Sequence, residues 1–253
     1  MLIKQIKTEK LDTFVYSDRA NMGIAAGKAA ADAICRVIEK KGSANVVFAA
    51  APSQNEMLEA LIGENIDFSR VNAFHMDEYV GLGIDDPQSF ARYLSDHLFS
   101  RVRFASVNYI NAKKDVDSAC AHYAALLEKF PPDVVCMGIG ENGHIAFNDP
   151  PVADFNDKVL IKGVELDSVC RMQQVHDGCF PNIDSVPRYA VTLTVPALMS
   201  AKSLICTVPA STKAAAVKAM LCGEYGEVCP ATALRKHPCA KMFLDPDSAA
   251  LVM

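Results

Sequence analysis

The sequence predicts a single α/β domain over residues 1–253, three layers deep, around a mainly parallel, Rossmann-like sheet. Three observations predict it. Short apolar runs of strand length alternate with segments of helical spacing, the order that βαβ crossovers require. With 51% hydrophobic and 22% charged residues among 253, the chain can bury one sizeable core and carries no disorder signature. Polar residues follow directly on the apolar runs, where the carboxyl ends of parallel strands open on a ligand crevice.

Residues 21–40 place apolar side chains at helical spacing in an Ala-rich frame, and Lys41-Gly42-Ser43 ends that helix. Residues 45–50 read as a buried strand, and residues 55–63 as a helix opened by Pro52-Ser53. Residues 71–76 are the next strand, followed by a helix near 89–99. A helix over 118–129 precedes a strand at 134–138, and a strand at 203–208 precedes a helix at 212–221. The Pro-rich, weakly periodic stretch 150–187 is read as a lid or an irregular insertion over the site.

Composition excludes several classes of function. A net charge of -5 and a pI near 5.7, without a basic stripe, argue against a nucleic-acid partner. No apolar run approaches the ~18 residues of a membrane span. The opening MLIKQIKTEKLDTF puts charges where a signal peptide needs its apolar core, so no membrane association and a cytoplasmic location are expected. The nine cysteines are odd in number, scattered and free of C-x-x-C, as expected of reduced thiols. No histidine pair has the H-E-x-x-H spacing, so no metal is expected. Gly138, Gly140 and Gly143 come late in the chain with His144 in their turn, which suits backbone approach to a sugar better than a dinucleotide; no cofactor is expected.

Four polar loops follow strands and converge if the sheet is parallel. They are Ala51-Pro52-Ser53-Gln54, Asp77-Glu78-Tyr79, the turn from Gly138 to His144, and Pro209-Ala210-Ser211-Thr212-Lys213. His75 alternates with Asp77 and reads equally as a substrate ligand or as a strand-end histidine satisfied by backbone. His97, His122 and His237 have no convergent partners and read as surface or core residues.

Met76-Asp77-Glu78-Tyr79-Val80-Gly81-Leu82, with Gly143-His144-Ile145-Ala146-Phe147-Asn148-Asp149-Pro150 further on, resembles the paired signature of the glucosamine-6-phosphate deaminase/isomerase family. Residues 184–192 and Ser211-Thr212-Lys213 are similar to further segments of that family, so the likeness extends over most of the chain. The related 6-phosphogluconolactonases share the fold and a Gly-His turn but typically carry D-E-R in place of D-E-Y. The resemblance implies a cofactor-free enzyme that opens an amino-sugar phosphate ring, isomerises aldose to ketose and releases ammonia. It implies Asp77 as the C1/C2 proton shuttle and His144 as the ring-opening acid/base, with Asn142 and Asp149 supporting His144. Its substrate-binding positions fall on Ser53, Gln54, Glu78, Gly140, Gly143, Arg171 and Lys213, with Phe90 where a tyrosine contact is usual.

Some positions depart from the family pattern. Asn142 stands for a carboxylate and cannot ionise, while Asp149 replaces the usual glutamate and is shorter by about 1.5 Å, so its contact with His144 depends on the backbone. The glycine-rich T-G-G-T-P phosphate loop is here Ala50-Ala51-Pro52-Ser53-Gln54. Arg171 lies nearest to the family's arginine, displaced by what reads as a two-residue insertion around Val175-His176-Asp177-Gly178, and Lys213 remains as the matching cation. Glu78, Arg171 and His176 are as compatible with structural roles as with binding. The expectation is therefore a retained isomerising centre with a remodelled anion pocket, whose ligand is a small sugar phosphate or a sugar without the phosphate. A lactonase, with His144 activating water, and a sugar-phosphate-responsive binding protein are the alternatives; assembly into a homo-oligomer is left open.

Overall fold

All four strands expected from the apolar runs form in the computed structural model, which describes residues 1–150 and 152–253. The chain opens with a hairpin that the sequence reading did not extract, β1 (Leu2–Thr8) and β2 (Leu11–Tyr16), paired antiparallel. Next comes α1 (Arg19–Lys41), capped by Asp18, whose side chain accepts from the Asn21 N–H. Strand β3 (Ala44–Phe48) is followed by a short 3-10 turn at Pro52–Gln54 and α2 (Asn55–Ile62).

Strand β4 (Val71–His75) runs through Met76 into β5 (Asp77–Tyr79), which leaves the main sheet. The helix expected near 89–99 is α3 (Phe90–Leu94), continued by a π-helical turn at Ser95–Phe99. Then follow β6 (Ser106–Asn108), α4 (Val116–Lys129) and β7 (Val134–Met137). The stretch read as a lid or insertion holds β8 (Ile161–Glu165) and α5 (Ser168–His176). Last come β9 (Tyr189–Leu193), α6 (Val195–Met199), β10 (Ser203–Val208), α7 (Ala214–Cys222) and β11 (Ala240–Leu244).

The main sheet has eight strands in the order β1-β2-β11-β10-β7-β3-β4-β6, parallel throughout except for the β1/β2 pair. Alternate side chains of its central strands feed two cores. Val47, Val135, Met137 and Cys206 pack with Tyr123 of α4 and Val217 of α7. Val46, Phe48, Cys136 and Ile205 pack with Ile34 of α1 and Leu58 of α2. Helices therefore cover both faces, which is why these strands read as continuous apolar runs rather than as alternating ones.

From β3 the chain steps outward to β4 and β6, then returns to β7 on the other side of β3 and continues to β10 and β11. Neighbouring crossovers diverge at β3 and β7, and the crevice at such a switch point is where open α/β sheets bind ligands. A second, antiparallel sheet, β5-β9-β8, stands beside this opening, with Asp77 opposite Thr192 and Glu78 opposite Val191. Asp77-Glu78-Tyr79 is thus strand rather than loop. No helix among the described residues is long and apolar enough to cross a membrane.

Candidate active site

The cleft opens over the carboxyl ends of β3, β4, β7 and β10, and is lined by Ser53, Asp77, Gly140, His144 and Lys213 among others. The four polar loops do converge. Asp77 is buried at 6% exposure, and burial, reinforced by the charge of neighbouring Glu78, holds its carboxyl well above the usual carboxylate range. A carboxyl in that state releases and regains protons nearer neutral pH than a solvated aspartate.

Its neighbours on the strand turn away to structural tasks. Glu78 accepts the backbone N–H groups of Tyr79, Phe90 and Ala91 at 2.9, 3.1 and 2.9 Å, holding the start of α3; burial pushes its carboxyl up to about 7 even against these donors. Glu78, expected in the substrate-binding set, does not line the cleft. His75 donates from Nδ1 to the Asp77 carbonyl at 2.9 Å and accepts at Nε2 from the Ile110 N–H at 2.8 Å, the pairing that assigns its tautomer. Burial lowers its pKa to about 4, so His75 is the backbone-satisfied histidine of the two readings.

The turn after β7 builds the second chemical group. His144 Nδ1 lies 3.0 Å from Asp149 Oδ1 and 2.8 Å from Asn142 Oδ1. Asn142 in turn donates from Nδ2 to Asp149 Oδ1 at 2.9 Å, and its Oδ1 also accepts the His144 N–H at 3.0 Å. Burial raises the Asp149 pKa, but His144, Asn142 and the Asp167 N–H outweigh it and hold the carboxyl below its ordinary value. With both acceptors at Nδ1, Nε2 is the nitrogen left for a ligand. The ring lies against Gly140, where an added Cβ would come within 2.1 Å of His144 Cε1. Gly143 shapes the same turn at φ +85 and lies outside the cleft lining.

The anion-binding side chains are sorted differently from expectation. Lys213 is 5% exposed, and its Nζ has no hydrogen-bond partner among the described residues. Burial lowers its pKa, opposed by the charges of Asp177 and Glu141. Ser53 lines the cleft, as does Gln54, whose carboxamide is engaged: Nε2 donates to Ser53 Oγ and the Thr207 carbonyl, and Oε1 accepts from the Thr207 hydroxyl. Arg171 lies outside the lining, donating from Nη2 to the carbonyls of Ile183 and Val186 at 2.6 and 2.9 Å, so it braces the turn after α5. His176, half exposed, sits 3.3 Å from Glu141 Oε2, and neither lines the cleft.

Phe90 lines the cleft and stacks on Phe147, with centroids 5.5 Å apart. Sequence reading missed Arg19 at the start of α1 and Gln173, Gln174 and Asp177 on α5 and just beyond it. No local motif marks them, because the crossing of α1 and the folding back of α5 bring them in. Cys170 of α5 is buried beside the dyad: its Sγ, an Asp149 carboxylate oxygen and a His144 ring nitrogen lie within 4.8 Å of one another. A thiophilic ion fits such a donor set, although Asp149 is already engaged by Asn142 and the Asp167 N–H.

A Rossmann-like sheet with a buried carboxyl, a carboxylate-braced histidine and a buried lysine without a hydrogen-bond partner among the described residues at its switch point defines a class of α/β proteins that gather titratable side chains at the ligand crevice. Residues 17–243 match the family described as glucosamine-6-phosphate isomerases/6-phosphogluconolactonase, and the chain belongs to it. It is 30% identical over 230 residues to a glucosamine-6-phosphate deaminase of Lactobacillus delbrueckii subsp. bulgaricus, covering 89% of this chain and 94% of the relative. To the glucosamine-6-phosphate deaminase of Listeria innocua it is 34% identical over 221 residues, covering 85% and 92%. A solved monomeric glucosamine-6-phosphate deaminase superposes with a TM-score of 0.85 at 28% identity, over 94% of this chain and 99% of that one. The 6-phosphogluconolactonase of Trypanosoma brucei shares the fold, with a TM-score of 0.80 at 15% identity, over 99% and 100% of the two chains.

Proposed function

We propose that this chain is an amino-sugar phosphate deaminase that converts glucosamine 6-phosphate and water to the ketose phosphate and ammonia. The observation that carries the reading is the pairing in one cleft of Asp77, buried with a raised pKa, and His144, braced by Asp149 with Nε2 free. The relatives named glucosamine-6-phosphate deaminases favour this chemistry over lactone hydrolysis.

In this reading His144 takes the O1 hydroxyl proton at Nε2 and passes it to the ring oxygen as the pyranose opens, and Asp149 stabilises the imidazolium formed in between. Asp77 then takes the proton from C2 and returns it at C1 while a proton from the amine nitrogen goes to O1, turning the aldose amine into an imine at C2. Water adds to that imine and ammonia leaves, so atoms and charge balance with proton transfers alone. Asn142 keeps the dyad aligned without adding a charge, and Lys213 with Ser53 meets the anionic end of the sugar. The Ala50-Ala51-Pro52-Ser53 loop supplies fewer flexible backbone donors than a glycine-rich one, so side-chain cations carry more of that contact.

Ammonia release from glucosamine 6-phosphate tests the reading, with unphosphorylated glucosamine, 6-phosphogluconolactone and Asp77→Asn as parallel arms. Release that requires the phosphate and Asp77 is expected. Lactone hydrolysis without ammonia, or saturable sugar-phosphate binding without turnover by either route, overturns it.

A further inference from the structure

We infer that Arg19 is the second cation of the anion subsite, working with Lys213 where no arginine of the α5 region reaches the cleft. The inference rests on the amino-sugar phosphate reading for the identity of the ligand and on geometry for the site itself.

The position of Arg19 is built by helix packing. Gly23 and Gly27 let α1 approach α2 closely: a Cβ at Gly23 would lie 2.2 Å from Glu56 Cβ, and one at Gly27 would lie 2.7 Å from Ala60 Cβ. That contact brings the first residue of α1 against the loop that follows β3. Arg19 Nε donates to Glu56 Oε1 at 2.7 Å and Nη2 to the Pro52 carbonyl at 2.5 Å. One edge of the guanidinium is thereby clamped, while Nη1 has no hydrogen-bond partner among the described residues and the side chain lines the cleft beside Ser53.

Charge balance explains why a second cation is needed. Asp177 also lines the cleft and, with Glu141, acts electrostatically on Lys213. One lysine facing that carboxylate leaves little positive excess for a phosphate monoester. An oriented guanidinium supplies it, and a clamped arginine loses less side-chain freedom on binding than a free one. Glu56 neutralises part of the charge but fixes the fork, as a carboxylate behind a phosphate-binding arginine does.

The test uses the full-length protein with Arg19→Gln, Arg19→Lys and Glu56→Gln, circular dichroism confirming that each is folded. Steady-state kinetics on glucosamine 6-phosphate are measured alongside calorimetric titration with inorganic phosphate. Arg19→Gln should raise KM and weaken phosphate binding about ten- to a hundredfold, with kcat changed by no more than about threefold. Arg19→Lys should recover part of the loss, and Glu56→Gln, which removes the clamp but keeps the cation, should lose less than Arg19→Gln. Unchanged phosphate affinity in Arg19→Gln overturns the assignment, as does an equal loss in Glu56→Gln, which would make Arg19 only a brace between α1 and the loop. If the wild-type protein binds phosphate through Arg19 yet never turns over the amino sugar, the proposed reaction fails while the subsite stands.

Discussion

Asp149 Oδ1 lies 3.0 Å from His144 Nδ1 although its side chain is one methylene shorter than the glutamate common at this position in the family. The backbone supplies the missing reach. Residues 144–149 fold back on themselves through an Ile145/Asn148 bridge, and Asn148 Nδ2 donates to the carbonyls of Ile145 and Leu193 at 2.9 and 2.8 Å. That short turn, anchored to β9, carries Asp149 up to the imidazole.

Because Asp149 is the only ionisable partner of His144 Nδ1 among the described residues, Asp149→Asn should lower kcat about a hundredfold or more while leaving KM within about threefold. Steady-state assay of ammonia release decides this. Equal losses in kcat for Asp149→Asn and Asn142→Ala would instead mean that alignment, not charge, is what the dyad contributes.

The pH dependence follows from Asp77. Its pKa is raised by burial and by Glu78, and the proposed step requires the carboxylate form, so the acid limb of kcat/KM should lie above the ordinary carboxylate range. Replacing Glu78 with Gln removes a negative neighbour, which makes ionising Asp77 easier and lowers its pKa. The limb should therefore move to lower pH in Glu78→Gln. A limb that stays in place in the folded variant would mean that another group titrates there.

Gly140→Ala tests how tightly the ring is placed. Its Cβ would meet His144 Cε1 at 2.1 Å, so the imidazole must swing away from Asp149 or the turn must shift. Activity should fall about a hundredfold, as expected for a displacement of about 1 Å at a reacting group. Thermal unfolding should change little, since the strain is relieved by moving one side chain beside an open cleft. Retained activity would show that the ring rests elsewhere when substrate is bound.

A buried, ion-paired aspartate ties the strands together at the opposite end of the sheet. Asp133, 1% exposed just before β7, accepts from the Asn45 N–H at 3.0 Å and pairs with Lys41 and Lys202 at 2.6 and 3.0 Å, tying together the starts of β3, β7 and β10. Asp133→Ala leaves a buried N–H unpaired and two lysines without their anion. It should cost about 2–3 kcal/mol and lower Tm by about 5–10 °C in differential scanning calorimetry, with kcat unchanged. A fall in kcat at constant Tm would contradict this division between the two ends.

Local chemistry was enough to place the central strands, the long first helix and six of the cleft's contributors, Ser53, Gln54, Asp77, Gly140, His144 and Lys213. Short apolar runs bounded by turn residues and alternating with helical segments fit doubly covered strands, and a polar residue just past such a strand sits at its carboxyl end whatever the rest of the chain does. Long-range geometry decided the remainder. The β1/β2 hairpin lies at one edge of the sheet, where β1 is mostly exposed and carries no apolar run; β11 is buried between β2 and β10, but Lys241 interrupts its short apolar run, and β5 is a strand only because β9 arrives to pair with it. Glu78 and Arg171 carry charges that suit a ligand, yet the amides of α3 and the carbonyls of Ile183 and Val186 claim them first. Arg19 is the reverse case, a helix-start arginine that no motif marks, made part of the cleft by two glycines that let one helix close on another. Sequence determines which residues can do chemistry, because that is a property of each side chain; only the tertiary structure decides which are left unpartnered, because packing brings partners to Glu78 and Arg171 and none to Lys213 Nζ among the described residues.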